Sequence, residues 1–231
     1  REIEGETAFD ARSANQTESA AFKNWFGDSK VVDADGKPLV VYHGTASDIS
    51  EFRRTRTGEF GPAIYTTSDP NEAAEYGIGA GSRHLSQPPV NVMPVYVSLQ
   101  NPFTLGVTVF WTRYNKGDGD AAAVQRAIDD GFDGVIEDRI DYRGKKSFTH
   151  YIAFKPTQIK SATGNNGQYD AQNPDIRFAR RDDAGSDIPD TIIANPLGIA
   201  KTNTDYEAAK AGDIEAAVRL AKQLVTPGLL N

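Results

Sequence analysis

His43, His84 and His150 are the only imidazoles in this chain of 231 residues, and it has no cysteine. Without thiols there is no disulfide framework, thiolate nucleophile, zinc ribbon or iron–sulfur site. No two histidines stand at the spacing of a metal-binding helix, so no metal is expected. The motifs of the common acyl and phosphate chemistries are missing too: there is no GxSxG elbow and no GxxxxGK[ST] loop, and Gly77-Ile78-Gly79-Ala80-Gly81 follows a helical pattern rather than a strand. What remains is a scattered set. His43 ends an apolar run and precedes Gly44-Thr45, where the missing Cβ lets backbone amide and carbonyl groups approach a planar ligand. Tyr65 belongs to the next apolar run and Tyr76 lies eleven residues on, about three helical turns, so both rings can face one edge. Two tyrosine rings across a gap of one ring thickness make a slot for a flat heteroaromatic ligand.

The elements that must hold these residues follow from periodicity and turn chemistry. Residues 1–20 carry almost no bulky apolar side chains and read as a linker or arm. Phe22, Trp25 and Phe26 put three aromatics on one face of a short helix closed by Gly27. Val31-Val32, the turn Asp33-Ala34-Asp35-Gly36 and the run 39–43 predict a hairpin feeding a buried strand with His43 at its end. A loop over 58–62 leads to a strand over 63–67, then a helix with Ser68 or Asp69 as N-cap and Pro70 in first position. Residues 77–89, with His84 among them and given no role, read as a mobile Gly/Ser/Pro loop. Further strands are expected over 92–99, 134–136 and 148–154, with Ile159-Lys160-Ser161 after Pro156, and a helix over 121–130 stopped by Gly131. Five or six strands with only short helices between them predict an α+β domain with a mixed or antiparallel sheet. A charged linker is placed over 180–196. Apolar residues at helical spacing between Tyr206 and Val225 predict a helical segment, 197–231, opening a following module. Arg1 in place of Met, and an uncapped end at Leu229-Leu230-Asn231, suggest a piece of a longer protein.

Composition narrows the partners. With 39% hydrophobic residues there is enough apolar material for a core. Twenty-five Lys and Arg against 32 Asp and Glu leave a net charge of −7, which disfavours a sequence-independent grip on phosphate backbones but leaves room for one nucleotide in a pocket. No apolar run reaches membrane-spanning length and no signal peptide is visible, so neither a membrane nor export is expected, and the absence of cysteine points to the cytosol.

The ordered set carries a resemblance. His43-Gly44-Thr45, then Gly61-Pro62-Ala63-Ile64-Tyr65-Thr66-Thr67 with Tyr76, then Phe132-Asp133-Gly134-Val135-Ile136, then the run from His150-Tyr151-Ile152 to Gln158 together resemble the ADP-ribosyltransferase fold. The nearer branch is that of diphtheria toxin and the poly(ADP-ribose) polymerases, with its His-Tyr-Glu triad. Between Trp25-Phe26-Gly27-Asp28-Ser29-Lys30 and Asn173-Pro174-Asp175-Ile176-Arg177 the chain further resembles the ADP-ribosyltransferase domains of phage and mobile-element polyvalent proteins. The likeness covers about residues 21–179, and its specificity lies in the order of the set, since each tripeptide alone is common.

The resemblance implies a split mixed or antiparallel sheet with short helices, and NAD as substrate. It implies that His43 hydrogen-bonds the adenosine ribose, that Gly44 backbone groups clamp the nicotinamide carboxamide beside Thr45, and that Tyr65 and Tyr76 sandwich the nicotinamide ring. The physical logic agrees, because cleavage of the nicotinamide–ribose bond develops oxocarbenium character and demands a flat, oriented leaving group. Two departures stand out. The family's serine eight residues after the first tyrosine is Ala73 here, with Ser68 or Thr67 as candidates to replace its hydrogen bond. The glutamate before the late strand's Tyr-Ile run is His150, which brings no negative charge. His150 in an orienting role, Glu137 projecting into the cleft, and Gln158 after the strand are the three candidates for that position, although Glu137-Asp138-Arg139 also fits a solvated turn. Arg53, Arg54 and Arg56 could pair with the NAD pyrophosphate or form a solvated loop.

The function so implied is mono-ADP-ribosyl transfer from NAD to a host macromolecule, a protein before a nucleic acid, by a toxin- or effector-like phage domain in the bacterial cytoplasm. The alternatives are a degenerate, non-catalytic module that binds NAD or ADP-ribose, and an interaction module of a larger phage-type protein.

Overall fold

The computed structural model describes residues 16–47, 49–56, 58–81, 91–140, 146–165, 167, 169–177, 205, 208 and 213–225. The expected N-terminal arm up to residue 15, the whole 180–196 linker, and residues 82–90 with His84 among them lie outside them. Helix α1 (Ala20–Phe26) opens the domain, with the Ser19 hydroxyl accepting from Phe22 N and Gly27 closing it. Then come β1 (Val41–Thr45), β2 (Ile64–Thr67) and α2 (Pro70–Gly81). These are followed by β3 (Asn91–Val97), β4 (Pro102–Phe103), α3 (Gly106–Tyr114), α4 (Asp120–Asp129), β5 (Gly134–Ile140) and β6 (Lys146–Ala153). A 3₁₀ turn, Pro156–Gln158, leads into β7 (Ile159–Ser161), and α5 (Ile214–Val225) comes last.

The seven strands form one sheet in the order β4-β5-β6-β2-β1-β3-β7, antiparallel except for β4 beside β5. This is the mixed α+β sheet with short helices that the sequence predicts. Both faces are covered, which explains why β3 reads as an unbroken apolar run: Met93, Val95 and Val97 join one core while Val92 and Tyr96 join layers on the other side. β6 divides in the same way, with Tyr151 and Ala153 on one face and Ile152 packed under α3 and α4 on the other. Phe22, Trp25 and Phe26 of α1 meet Tyr96 and Tyr169 in a fourth cluster. Ring centroids there lie 4.8 Å (Phe22–Tyr169) and 5.0 Å (Phe22–Tyr96) apart in edge-on pairs.

Several elements differ from the sequence reading. The stretch 77–81, expected as loop, continues α2, because the helix is already committed by its N-terminus: Pro70 in first position and the Asp69 carboxylate accepting from Asn71 N at 2.9 Å. That resolves the N-cap to Asp69. The hairpin before β1 reduces to a single bridge, Val32 with Pro38, around a turn in which the Asp33 carboxylate accepts from Asp35 N and Lys37 N. β5 runs to Ile140 rather than stopping at 136, carried by its ladder with β6. Helix α3 is unforeseen: its Val and Thr content disguises it, and Phe110 and Tyr114 bury it. Within the expected helical segment, Ala216, Ala217 and Val218 of α5 are buried against Ala73, Ala74 and Val92. Among the described residues no helix is long and apolar enough to cross a membrane.

Phe22→Ala empties the centre of the α1 cluster. The expected loss is about 3–5 kcal/mol of unfolding free energy in chemical denaturation, and a loss below about 1 kcal/mol would mean that α1 is peripheral to the fold.

Candidate active site

The site begins where the sheet comes apart. β1 and β2 pair at Tyr42 and Thr67, the one register pair between them, while β1 stays paired to β3 along its length. Beyond that pair the strands diverge. There the imidazole of His43, third residue of β1, hydrogen-bonds the main-chain carbonyl of Tyr65 through Nδ1 at 2.8 Å. A carbonyl only accepts, so Nδ1 carries the proton and Nε2 is left as an acceptor. Burial pushes the His43 pKa down, against the opposing effect of this bond, and keeps the ring neutral. Phe52 braces it edge-on at 4.8 Å.

His43, Gly44, Thr45, Tyr65, Tyr76 and His150 all line one cleft of about 730 Å³, a size suited to a nucleotide-like ligand. Tyr65 is locked: its hydroxyl donates to Gly61 O at 2.8 Å and accepts from Phe60 N at 3.0 Å. Burial raises its pKa well above the usual phenol range, so the proton that makes the first of these bonds stays on. The phenol packs close on Gly58, where a Cβ would come within 2.2 Å of its oxygen and force the ring to shift. Tyr76, on α2, is 54% exposed and meets His150 edge-on at 6.2 Å. Tyr65 and Tyr76 both line the cleft.

His150 sits on β6 opposite Thr67 of β2 and Glu137 of β5. It is 4% exposed, and burial, with the nearby Arg139 guanidinium, lowers its pKa to about 4. The residue is a neutral imidazole at physiological pH. Arg139 bridges two carboxylates, pairing with Glu59 through one nitrogen and approaching Glu137 at 3.4 Å through another. The ligating atoms of Glu59, Glu137 and His150 lie within 4.8 Å of one another, a spacing a divalent cation could use, but the guanidinium already serves both carboxylates.

Glu137, singled out from the sequence as the cleft's carboxylate, stands within 4.8 Å of ligating atoms of Glu59 and His150, behind the residues that line the cleft. Its Oε1 accepts from Val107 N at 3.2 Å at the start of α3, its side chain is 11% exposed, and it is not part of the cleft wall. Gln158 is likewise outside the cleft, with Nε2 donating to Ser98 O and Asp133 O and Oε1 accepting from Lys155 N. These bonds tie the 3₁₀ turn to two neighbouring segments. Ser68 accepts from Thr149 N and extends the β2–β6 pairing, also away from the wall, whereas Thr67 lines it. Arg53 reaches the cleft; Arg54 does not. Sequence reasoning passed over Glu59. The available signal was its place six residues before Tyr65 in a glycine-flanked turn that folds back on that ring.

One mixed seven-stranded sheet with short helices, and a His–Tyr–Tyr cleft beside its central strands, is consistent with an ADP-ribosyltransferase-like fold. Residues 33–169 match the family described as ADP-ribosyltransferase in polyvalent proteins, and the chain belongs to that family. It is also similar, at 49% identity over 51 residues, to an uncharacterized protein of Haemophilus influenzae; the match covers 22% of this chain and spans 11% of that relative's length.

The His150 pKa has a direct consequence. Unfolded, its imidazole takes a proton near 6.5 and folded only near 4, so between those values the unfolded chain binds more protons and this residue subtracts stability as pH falls through the window. The ring resonances of His150 should titrate near pH 4 by NMR, and Arg139→Met should move that midpoint upward; a midpoint at or above 6.5 would contradict the buried, neutral ring.

Proposed function

We propose that the chain is an NAD-dependent mono-ADP-ribosyltransferase, moving ADP-ribose from NAD to a macromolecular acceptor and releasing nicotinamide. The observation that carries this reading is the pairing of His43 and Gly44 on one wall with the locked Tyr65 ring and the open Tyr76 ring across the same cleft. The wall supplies what NAD needs. Nε2 of His43 accepts from a ribose hydroxyl, Gly44 offers main-chain groups to the carboxamide, Thr45 flanks them, and the tyrosines hold the nicotinamide flat. Arg53 is the guanidinium placed to meet the pyrophosphate. His150 holds the third position as a neutral hydrogen-bonding group, and Glu137 works through Arg139 and the start of α3.

The acceptor is a protein side chain before a nucleic acid, given the net charge of −7. As a domain of the polyvalent-protein kind, the chain acts in the cytoplasm of a bacterium, linked to flanking domains. A second reading, a degenerate module that binds NAD without turnover, is favoured by two observations: His150 in place of a carboxylate, and Ala73, 1% exposed, where a hydroxyl would contact the carboxamide.

Nicotinamide release from NAD separates the two. Under the transferase reading His43→Ala and Tyr65→Ala each lower release by roughly a hundredfold, the cost of misplacing the reacting group. Binding without release, measured by calorimetry with bacterial lysate supplied as acceptor, would establish the second reading instead. Gly58→Ala is expected to act like Tyr65→Ala while thermal unfolding stays cooperative, because the added methyl displaces the phenol; an unaffected rate would mean that the ring's seat is not needed.

A further inference from the structure

The late strand brings an imidazole where the family brings a carboxylate, yet the cleft is not without acid. Two glutamates converge on His150, and their surroundings tell them apart. Glu137 accepts from Val107 N through Oε1, and its Oε2, 3.4 Å from an Arg139 nitrogen, is buried without a hydrogen bond. Glu59 lines the cleft itself, and its side chain is 37% exposed. His150 is the independent pointer: it is buried, it lines the same cleft, and its ring nitrogens make no hydrogen bond among the described residues. A ring nitrogen that reaches the cleft without a partner is available to a ligand group.

We infer that Glu59 is the catalytic carboxylate of this cleft, delivered by the loop before β2 in place of the late strand's glutamate, with His150 beside it as a neutral hydrogen-bond partner to the nicotinamide ribose. This rests on the transferase reading above. The loop is built to hold that carboxylate in register with the stacked ring. Trp111 Nε1 donates to Glu59 O at 2.8 Å, while the residues on either side, Gly58 and Phe60, pack on or bond to the Tyr65 phenol. Any ligand that seats against Tyr65 therefore meets a carboxylate whose backbone is fixed to the same ring. Arg139 orients the side chain. An ion pair this exposed contributes only about 0.2–1 kcal/mol, so the positively charged nicotinamide nucleoside can compete with the guanidinium for it.

The step is a heterolysis. The bond from C1′ of the ribose to the pyridinium nitrogen breaks, the nitrogen keeps the electron pair, and nicotinamide leaves neutral. The positive charge passes to C1′ and its ring oxygen, where Glu59 stabilises it. The acceptor's nucleophile then bonds to C1′ and releases its proton to solvent; with water the products are ADP-ribose, nicotinamide and a proton.

The test is steady-state nicotinamide release by the full chain and by Glu59→Gln, Glu59→Asp, Glu137→Gln and the double variant Glu59→Gln/His150→Glu, with His43→Ala as the site control. Glu59→Gln should lower kcat by roughly a hundredfold or more with KM changed by less than about threefold, the mark of an interaction made in the transition state. Glu59→Asp should fall between, Glu137→Gln should cost less than about tenfold, and the double variant should recover at least about tenfold over Glu59→Gln because it restores the carboxylate on β6. Release by Glu59→Gln within about twofold of the parent, or a double variant with no recovery, overturns the assignment. When the parent releases nicotinamide and His43→Ala does not, that failure leaves the transferase reading standing. A parent that releases none overturns both.

Discussion

Everything at the site depends on a sheet that stops pairing in its middle. β1 and β2 share one register pair before they part, and unpaired main-chain groups in a covered sheet are costly. The His43 imidazole takes one of them, accepted by the Tyr65 carbonyl at 2.8 Å. One hydrogen bond thereby closes the split on the core side, fixes the tautomer of the ring and presents Nε2 to the cleft. An alanine there would open both the strand pair and the site. Gly44, next along β1, leaves the main chain of the diverging edge approachable, so binding surface and strand divergence are the same feature.

The electrostatics around β6 follow from burial. A glutamate at position 150 would be a charge at a site that is almost wholly covered, tolerable only with a counter-charge at hand. An imidazole at the same place settles at the neutral form, and its pKa near 4 shows how strongly burial and Arg139 disfavour its cation. The guanidinium left beside it turns to acids on two other segments, Glu59 from the loop before β2 and Glu137 from the neighbouring strand. Glu137 anchors the first turn of α3 through Val107 N, where a carboxylate suits the positive end of a helix. The carboxylates paired with Arg139 thus stand on the loop before β2 and on β5.

Legibility in the sequence tracked how local each cause is. His43-Gly44, Tyr65 and Tyr76 could be found because each sits at a fixed place in a strand or a helix turn, and periodicity places such residues. The α+β class and most strands were readable for the same reason. Glu59 and Arg139 were not: they lie 80 positions apart and meet only because the loop before β2 folds over β5. Gln158 and Ser68 misled in the opposite way. Both are polar and close in sequence to site strands, yet main-chain groups of neighbouring segments claim their side chains, a competition no single-sequence pattern reveals. Helix α3 was hidden by β-branched residues that tertiary burial overrides.

The last helix bears on the cleft from behind. α2 brings Tyr76 and Ala73 to the cleft, and Ala73 and Ala74 also join Ala216, Ala217 and Val218 of α5, Val92 of β3 and Tyr42 of β1 in one buried cluster. Alanines at a helix–helix contact let the axes come close, and the contact gains more from dispersion than its few methyl groups suggest. The exposed Tyr76 ring has little packing of its own beyond the His150 edge, so its position is set by the helix beneath it, and that helix is wedged between the sheet and α5. Residues far beyond the matched family region, which ends at 169, therefore pack against the helix that carries Tyr76.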